Sequence, residues 1–158
     1  MKKILFALML AVSVVACKSS TSAVSTKVDS KVQSSLKGNW TIQSVTYPNS
    51  NVFKVNSFQL ADSQCFVGSA WKLVANNDSG TMSIEKGGCP SFSSPIKWYI
   101  NKEGQFVLKV LNAGEKAKRV KDGYVLSVAN VTESSFQLVD VVDIAGKQTN
   151  IVYQFVKN

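Results

Sequence analysis

The sequence predicts an all-β chain folded as an eight-stranded antiparallel up-and-down barrel. Three observations carry that prediction. From Trp40 onward, apolar residues recur at every second position, which is strand spacing and not helix spacing. The connections between the later runs are short and hold turn residues, so neighbours in sequence are expected to pair antiparallel. Eight such runs in succession are best closed on themselves, because closure leaves no strand edge free to pair with another chain.

The first residues stand apart from this pattern. Met1-Lys2-Lys3 is a basic start, Ile4 to Val15 is an apolar run too short to span a bilayer with ordinary flanks, and the small Ala16 precedes Cys17. Residues 1–16 therefore read as an export signal peptide. Their end, Val14-Val15-Ala16-Cys17, resembles the bacterial lipobox, which implies cleavage before Cys17 and palmitate-type acyl chains on it. The other reading is an ordinary signal peptide with Cys17 incidental. Several acyl chains hold a protein firmly where one binds only marginally, so the expected mature protein is anchored to its membrane without spanning it.

The formal charge is +8 for the whole chain and falls to +6 when Lys2 and Lys3 leave with the leader. For an exported, lipid-anchored chain the nearest anions are phospholipid and lipopolysaccharide headgroups, so nucleic acid is not the expected partner. With Cys17 acylated, Cys65 and Cys89 remain as an even pair in an oxidising compartment, and a disulfide between them is the expected state. Free thiols and metal ligation are the alternatives; with no histidine in the chain, two isolated cysteines do not make a zinc site.

Residues 17–35 form an acylated tether of Ser, Thr, Lys and Val, a composition that suits a spacer. Val24, Val28, Val32 and Leu36 nevertheless recur every fourth residue, which leaves a short amphipathic helix as the other reading. Residues 36–158 are the barrel domain. Strands are placed near residues 39–47, 70–76, 80–85, 95–101, 105–111, 122–130, 134–143 and 148–157. Ile96, Trp98 and Ile100 alternate with polar or half-polar neighbours, and Phe106, Leu108 and Val110 follow the turn Lys102-Glu103-Gly104, giving a hairpin. Asn76-Asn77-Asp78-Ser79-Gly80 is a second strong turn. In the first strand, Trp40 and Ile42 are out of phase with Val45 and Tyr47, which predicts a bulge. Pro48 to Ser69 is long for a plain connection and is expected to carry local structure or function; with Cys65 bridged to Cys89 it would lid one end of the barrel.

Gly38-Asn39-Trp40 resembles the Gly-x-Trp motif at the first strand of lipocalins. With the leader, the eight strands, the cysteine pair and the stretches SQCFVGSAWKL and CPSFSSPIKWYI, the chain is similar to the lipocalin-like lipoproteins of Bacteroidetes. The resemblance implies that Gly38 permits a tight entrance, that Trp40 plugs the closed end, and that the barrel holds a small hydrophobic or amphipathic molecule. It departs from larger lipocalins in lacking their Thr-Asp-Tyr-like motif and the arginine that stacks on the tryptophan; the single arginine here is Arg119.

Catalytic chemistry finds little support. The absence of histidine removes imidazole bases and triads, no serine stands in Gly-x-Ser-x-Gly, and no glycine pattern suits a phosphate or dinucleotide. The chain is expected to be a non-enzyme without cofactor or metal. The candidate ligand-binding residues are the inward-phase aromatics Trp71, Trp98, Phe106, Tyr124 and Phe136, with Asp140 as a polar group among them. An eight-stranded barrel is just wide enough to be filled by such side chains or to hold one small ligand. Asp140 either orients a polar ligand group or sits at the open rim against water or a lysine. The basic run Lys116 to Lys121 offers a headgroup-facing patch or a solvated loop.

The expected function is thus a membrane-anchored binding protein. The alternative is a filled, non-catalytic barrel that contacts another envelope protein through apolar outer positions such as Val125, Val139, Val141 and Val152. An outer-membrane site facing the periplasm is expected, because no acidic residue follows Cys17 directly.

Overall fold

The structure is a computed structural model that describes residues 30–48, 50–51, 54–112, 116, 120 and 123–158. The leader, Cys17, most of the tether and most of the basic run 116–121 lie outside the described residues.

The eight principal strands close into an antiparallel barrel in which each strand pairs with its sequence neighbour and the last pairs with the first. Following the short helix α1 (Ser30–Ser35) come β1 (Gly38–Thr46), two short strands β2 (Asn56–Ser57) and β3 (Ala61–Asp62), and a 3-10 turn over Ser63–Phe66. The remaining wall is β4 (Ala70–Val74), β5 (Ser79–Ile84), β6 (Phe92–Ile100), β7 (Phe106–Val110), β8 (Tyr124–Ala129), β9 (Ser135–Ile144) and β10 (Lys147–Lys157). Strand positions match the periodicity to within a few residues. The largest difference is β6, which begins three residues early because Phe92 and Ser94 continue the inward alternation through Pro95.

The expected phase break in β1 is a register shift between Ile42 and Ser44 against β10. The shift turns Val45 inward, so Trp40, Ile42 and Val45 are all buried. One strand thereby serves both β4 and β10, as closure requires. Gly38 has φ +139°, a conformation that side chains rarely adopt. At Gly80 a Cβ would lie 2.1 Å from the Lys72 carbonyl oxygen, so only glycine lets β4 and β5 approach there.

One end of the barrel is sealed by its own wall and by α1. The tether is helical over its last residues, because Leu36 is fully buried and Val32 packs on the core. Gln33 reaches across the seal, donating to Ala75 O (3.1 Å) and Asp78 Oδ1 (2.6 Å) and accepting from the Ile100 amide (3.3 Å). Trp40 plugs this end: its Nε1 donates to Leu36 O at 2.9 Å, and its ring meets Phe136 edge-on at 4.7 Å. Lys157 Nζ lies 5.7 Å from the Trp40 ring centroid, within reach of a cation–π attraction to the plug.

Candidate functional site: the barrel mouth

The opposite end holds the long connection from β1 to β4, the turn between β5 and β6, the connection from β7 to β8 and the turn between β9 and β10. The first of these carries a small hairpin. Strands β2 and β3 pair across Ser57 and Ala61, and Leu60 N donates to Ser57 O at 3.0 Å. Phe58 and Gln59 both have φ +53°, the mirror-image turn geometry that glycine and asparagine favour. A residue with a side chain in that conformation costs roughly 1–2 kcal/mol. The result is that Phe58 points down into the mouth and is only 5% exposed.

Its ring stacks on Tyr153 (5.6 Å) and meets Tyr124 (5.1 Å), Phe66 (5.2 Å) and Trp71 (6.5 Å) edge-on. Such pairs add about 0.5–1.5 kcal/mol each beyond the area they bury. Two tyrosine hydroxyls hold the hairpin's backbone and side chain: Tyr124 Oη donates to Phe58 O at 2.7 Å, and Tyr153 Oη and Ser57 Oγ share a bond of 2.5 Å. At the hairpin base, Tyr47 Oη and Ser63 Oγ are 2.5 Å apart, and Gln64 Nε2 donates to Val45 O at 3.0 Å.

The cysteine pair is a disulfide. Cys65 in the 3-10 turn is bonded to Cys89 in the turn between β5 and β6, with Cα atoms 5.6 Å apart. Lys86 Nζ donates to Gln64 O at 2.8 Å across the same junction. The connection expected to lid the barrel does lie over the mouth, and it is fastened to the wall at its far end.

The inward aromatics divide by depth. Phe136 and Phe155 stack at 4.5 Å next to Trp40, and Trp98 stacks on Phe106 at 5.4 Å. Trp98, Phe106 and Phe136 are therefore core of the closed half and do not reach the mouth. Trp71 stands between the halves, 5.5 Å from Phe155 and 6.5 Å from Phe58. Tyr124 and Asp140 belong to the mouth itself. Phe58 and Phe66, which no alternation marks, complete it together with Tyr47, which follows Val45 in phase.

Asp140 lies on β9, the strand between β8 and β10. It shares the inward phase of the buried Phe136 and Leu138 and is itself half-buried. Burial pushes its carboxyl above the usual carboxylate value, partly offset by a hydrogen bond from the Val141 backbone. Among the described residues no lysine or arginine pairs with it, so the expected rim contact to a lysine is not found there. Burial also drives the Tyr153 phenol well above its ordinary value; the Ser57 bond opposes this, and the negative charge of Asp140 adds to it.

Thr149, on the inner face of β10, is 3% exposed, and its hydroxyl has no hydrogen-bond partner among the described residues. Outside Phe58 a cleft of about 290 Å³ opens beside the hairpin, lined by apolar Phe58, Leu60, Val110 and Val120 together with Tyr124 and the amides Gln59 and Asn112. Phe58 is the wall between this cleft and the barrel interior. A larger groove of about 940 Å³ lies on the outside of the closed end against Leu73, Ala75 and Tyr99. Its one buried polar side chain, Gln33, is already bonded to the half-buried Asp78, so it presents no unsatisfied buried group among the described residues.

No protein-family model matches the chain, and no curated relative does. Among solved structures the chain is similar to bovine odorant-binding protein in complex with a selenium-containing odorant, at 14% identity and a TM-score of 0.45, covering 80% of this chain and 72% of that one. It is similar to the same bovine protein with its natural ligand at 15% identity and TM-score 0.45, covering 79% and 72%. A further odorant-binding protein matches at 14% identity and TM-score 0.46, covering 80% and 73%. The closed eight-stranded antiparallel barrel is established by the strand pairing of this chain itself.

Proposed function

We propose that the protein is a non-catalytic, membrane-anchored binding protein that holds one small apolar or amphipathic molecule at the barrel mouth, in the slot that Phe58 fills in its absence. The observation that carries this reading is the origin of the plug. The ring in the slot belongs to a hairpin with two residues in a strained backbone conformation, whereas the closed end is filled by the wall strands. Strain of this kind collects at ligand clamps and switches. The aromatic cage under Phe58 and the 290 Å³ cleft outside it become one continuous site when the ring moves out, and a site of that build suits a small ligand.

The lipobox-like end of the leader supports an anchor at Cys17 in a bacterial outer membrane, with the domain facing the periplasm. Radiolabelled palmitate that fails to label Cys17, or protease added to intact cells that removes the domain, would count against that placement.

A second reading has its own observation. Val125 on β8 and Val141 on β9 are 48% and 51% exposed on the outer face of the wall, which suits a protein contact if the barrel is permanently filled. Native mass spectrometry of protein purified from its own envelope separates the two. The binding reading expects a co-purified molecule of a few hundred daltons that is released by organic extraction. Bare protein that captures an envelope partner unless Val125 and Val141 are changed supports the second reading.

A further inference from the structure

Three polar groups stand at inward positions of the paired strands β9 and β10: Asp140, Thr149 and Tyr153, the last of them in contact with Phe58. Phe58 is flanked by Tyr124 on β8 and Tyr153 on β10, and the strand between them, β9, presents Asp140 inward at that level. On β10 the residue paired with Asp140 is Ile151, so Thr149 and Tyr153 lie two residues to either side of that rung on the same face. Each stands out for a separate reason: among the described residues Asp140 is a half-buried carboxylate with no cation paired to it, Thr149 is a buried hydroxyl without a partner, and Tyr153 is a phenol bonded to the hairpin through Ser57.

We propose that Asp140, Thr149 and Tyr153 form a recognition site for the ammonium group of a small amphipathic amine, whose apolar or aromatic body replaces the ring of Phe58. The proposal rests on the binding reading above and specifies the ligand class. An ammonium has three donors and no acceptor, which matches a carboxylate, a hydroxyl and a phenol at inward positions of the paired strands β9 and β10. The carboxylate supplies the charge, Thr149 Oγ1 gains the partner it lacks, and Tyr153 Oη is released from Ser57 as the hairpin withdraws. The faces of Tyr124 and Tyr153 add further attraction for a cation.

Charge distribution points the same way. The chain carries +8 overall, yet among the described residues the barrel lining near the mouth holds a carboxylate and no basic side chain. An anionic head would meet Asp140 with like charge, and a neutral alcohol would leave the carboxylate unpaired. Burial holds the Asp140 carboxyl above its ordinary value, and a bound cation opposes that shift by favouring the charged form.

The test uses full-length protein in nanodiscs, with empty nanodiscs as reference, and three probes with a common ring: 2-phenylethylamine, 2-phenylethanol and 3-phenylpropionate. Each is titrated against the neutral fluorophore N-phenyl-1-naphthylamine in wild type and in Phe58→Ala, where the slot is open. The expected order is amine, alcohol, carboxylate, with the amine about tenfold tighter than the alcohol, as a charge-assisted bond predicts. Asp140→Asn should abolish that preference and Thr149→Val should reduce it, each amine-to-alcohol ratio being read against the variant's own fluorophore affinity.

Equal affinity for amine and alcohol in Phe58→Ala, with the fluorophore bound, overturns the amine assignment and leaves the slot standing. No binding of the fluorophore to either protein overturns the slot and the amine assignment together. Should Asp140→Asn unfold, the Thr149→Val ratio and the amine-to-carboxylate ratio in Phe58→Ala decide the matter in its place.

Discussion

The two ends of this barrel are filled with the same kind of side chain in two different ways. At the closed end the rings of Trp40, Phe136 and Phe155 belong to β1, β9 and β10, so none can leave without opening the wall. At the mouth the central ring, Phe58, arrives on a hairpin that pairs with no wall strand. Its attachment is two tyrosine hydroxyls, ring contacts and a fastened base. Aromatic filling by itself therefore does not distinguish a core from an occupied binding site; the element that carries the ring does.

Substitution at the two ends should separate them most sharply. Trp40→Ala is expected to cost about 3–5 kcal/mol of unfolding free energy, as for other large buried rings cut to alanine. Phe58→Ala is expected to cost less than half as much, because the hairpin can settle into the space and the wall is untouched. Denaturant unfolding of both variants reads the difference, and equal costs would make the mouth an ordinary core.

Removing the disulfide lowers global stability and loosens the mouth in addition. The paired change Cys65→Ala and Cys89→Ala frees a crosslink spanning 24 residues and should cost about 3 kcal/mol in the chain-entropy account. In hydrogen exchange, amides around Trp40 should lose protection only by that global cost, while residues 55–68 should quicken further through local opening. Uniform loss of protection would show that the two ends unfold as one unit.

A smaller effect has the opposite sign. Gln59 is exposed and sits at φ +53°, so Gln59→Gly should stabilise the protein by about 1 kcal/mol by relieving the left-handed conformation. It should also weaken ligand binding, since a relaxed plug is harder to displace.

The smallest expected effect is a pH slope. The carboxyl of Asp140 is raised in the folded state from its ordinary value of 3.8, so its contribution to stability is fully present below that value and is lost as pH rises through the raised one. The groups that bear on it are the Val141 backbone amide and the Tyr153 phenol. Asp140→Asn should gain melting temperature relative to wild type as pH climbs above 3.8, and a gap that stays constant with pH would contradict the assignment.

Much of the closed end could be read directly from the chain. Alternation placed Trp98, Phe106 and Phe136 on the inner face, Gly38 and Trp40 marked the sealed entrance, and the phase break before Val45 marked the bulge. Period-two spacing reports face and not depth, however, which is why the same pattern grouped those three with Trp71 and Tyr124 although the halves differ in role. The plug was less legible. Phe58 lies in a stretch without alternation, and its direction depends on a left-handed turn at Phe58-Gln59 where neither glycine nor asparagine announces one. Thr149 lies within the expected strand 148–157 on the face of Ile151 and Tyr153, but spacing alone does not report that its hydroxyl is buried without a partner among the described residues.

The most direct test of a displaceable plug is the contact between the rings of Phe58 and Tyr153, whose centroids are 5.6 Å apart. Nuclear Overhauser effects between their ring protons should be strong in the ligand-free protein. With one equivalent of N-phenyl-1-naphthylamine bound they should vanish and be replaced by effects from the probe to Tyr153. A bound probe that leaves the Phe58 to Tyr153 signal intact would show that the ring never vacates the mouth.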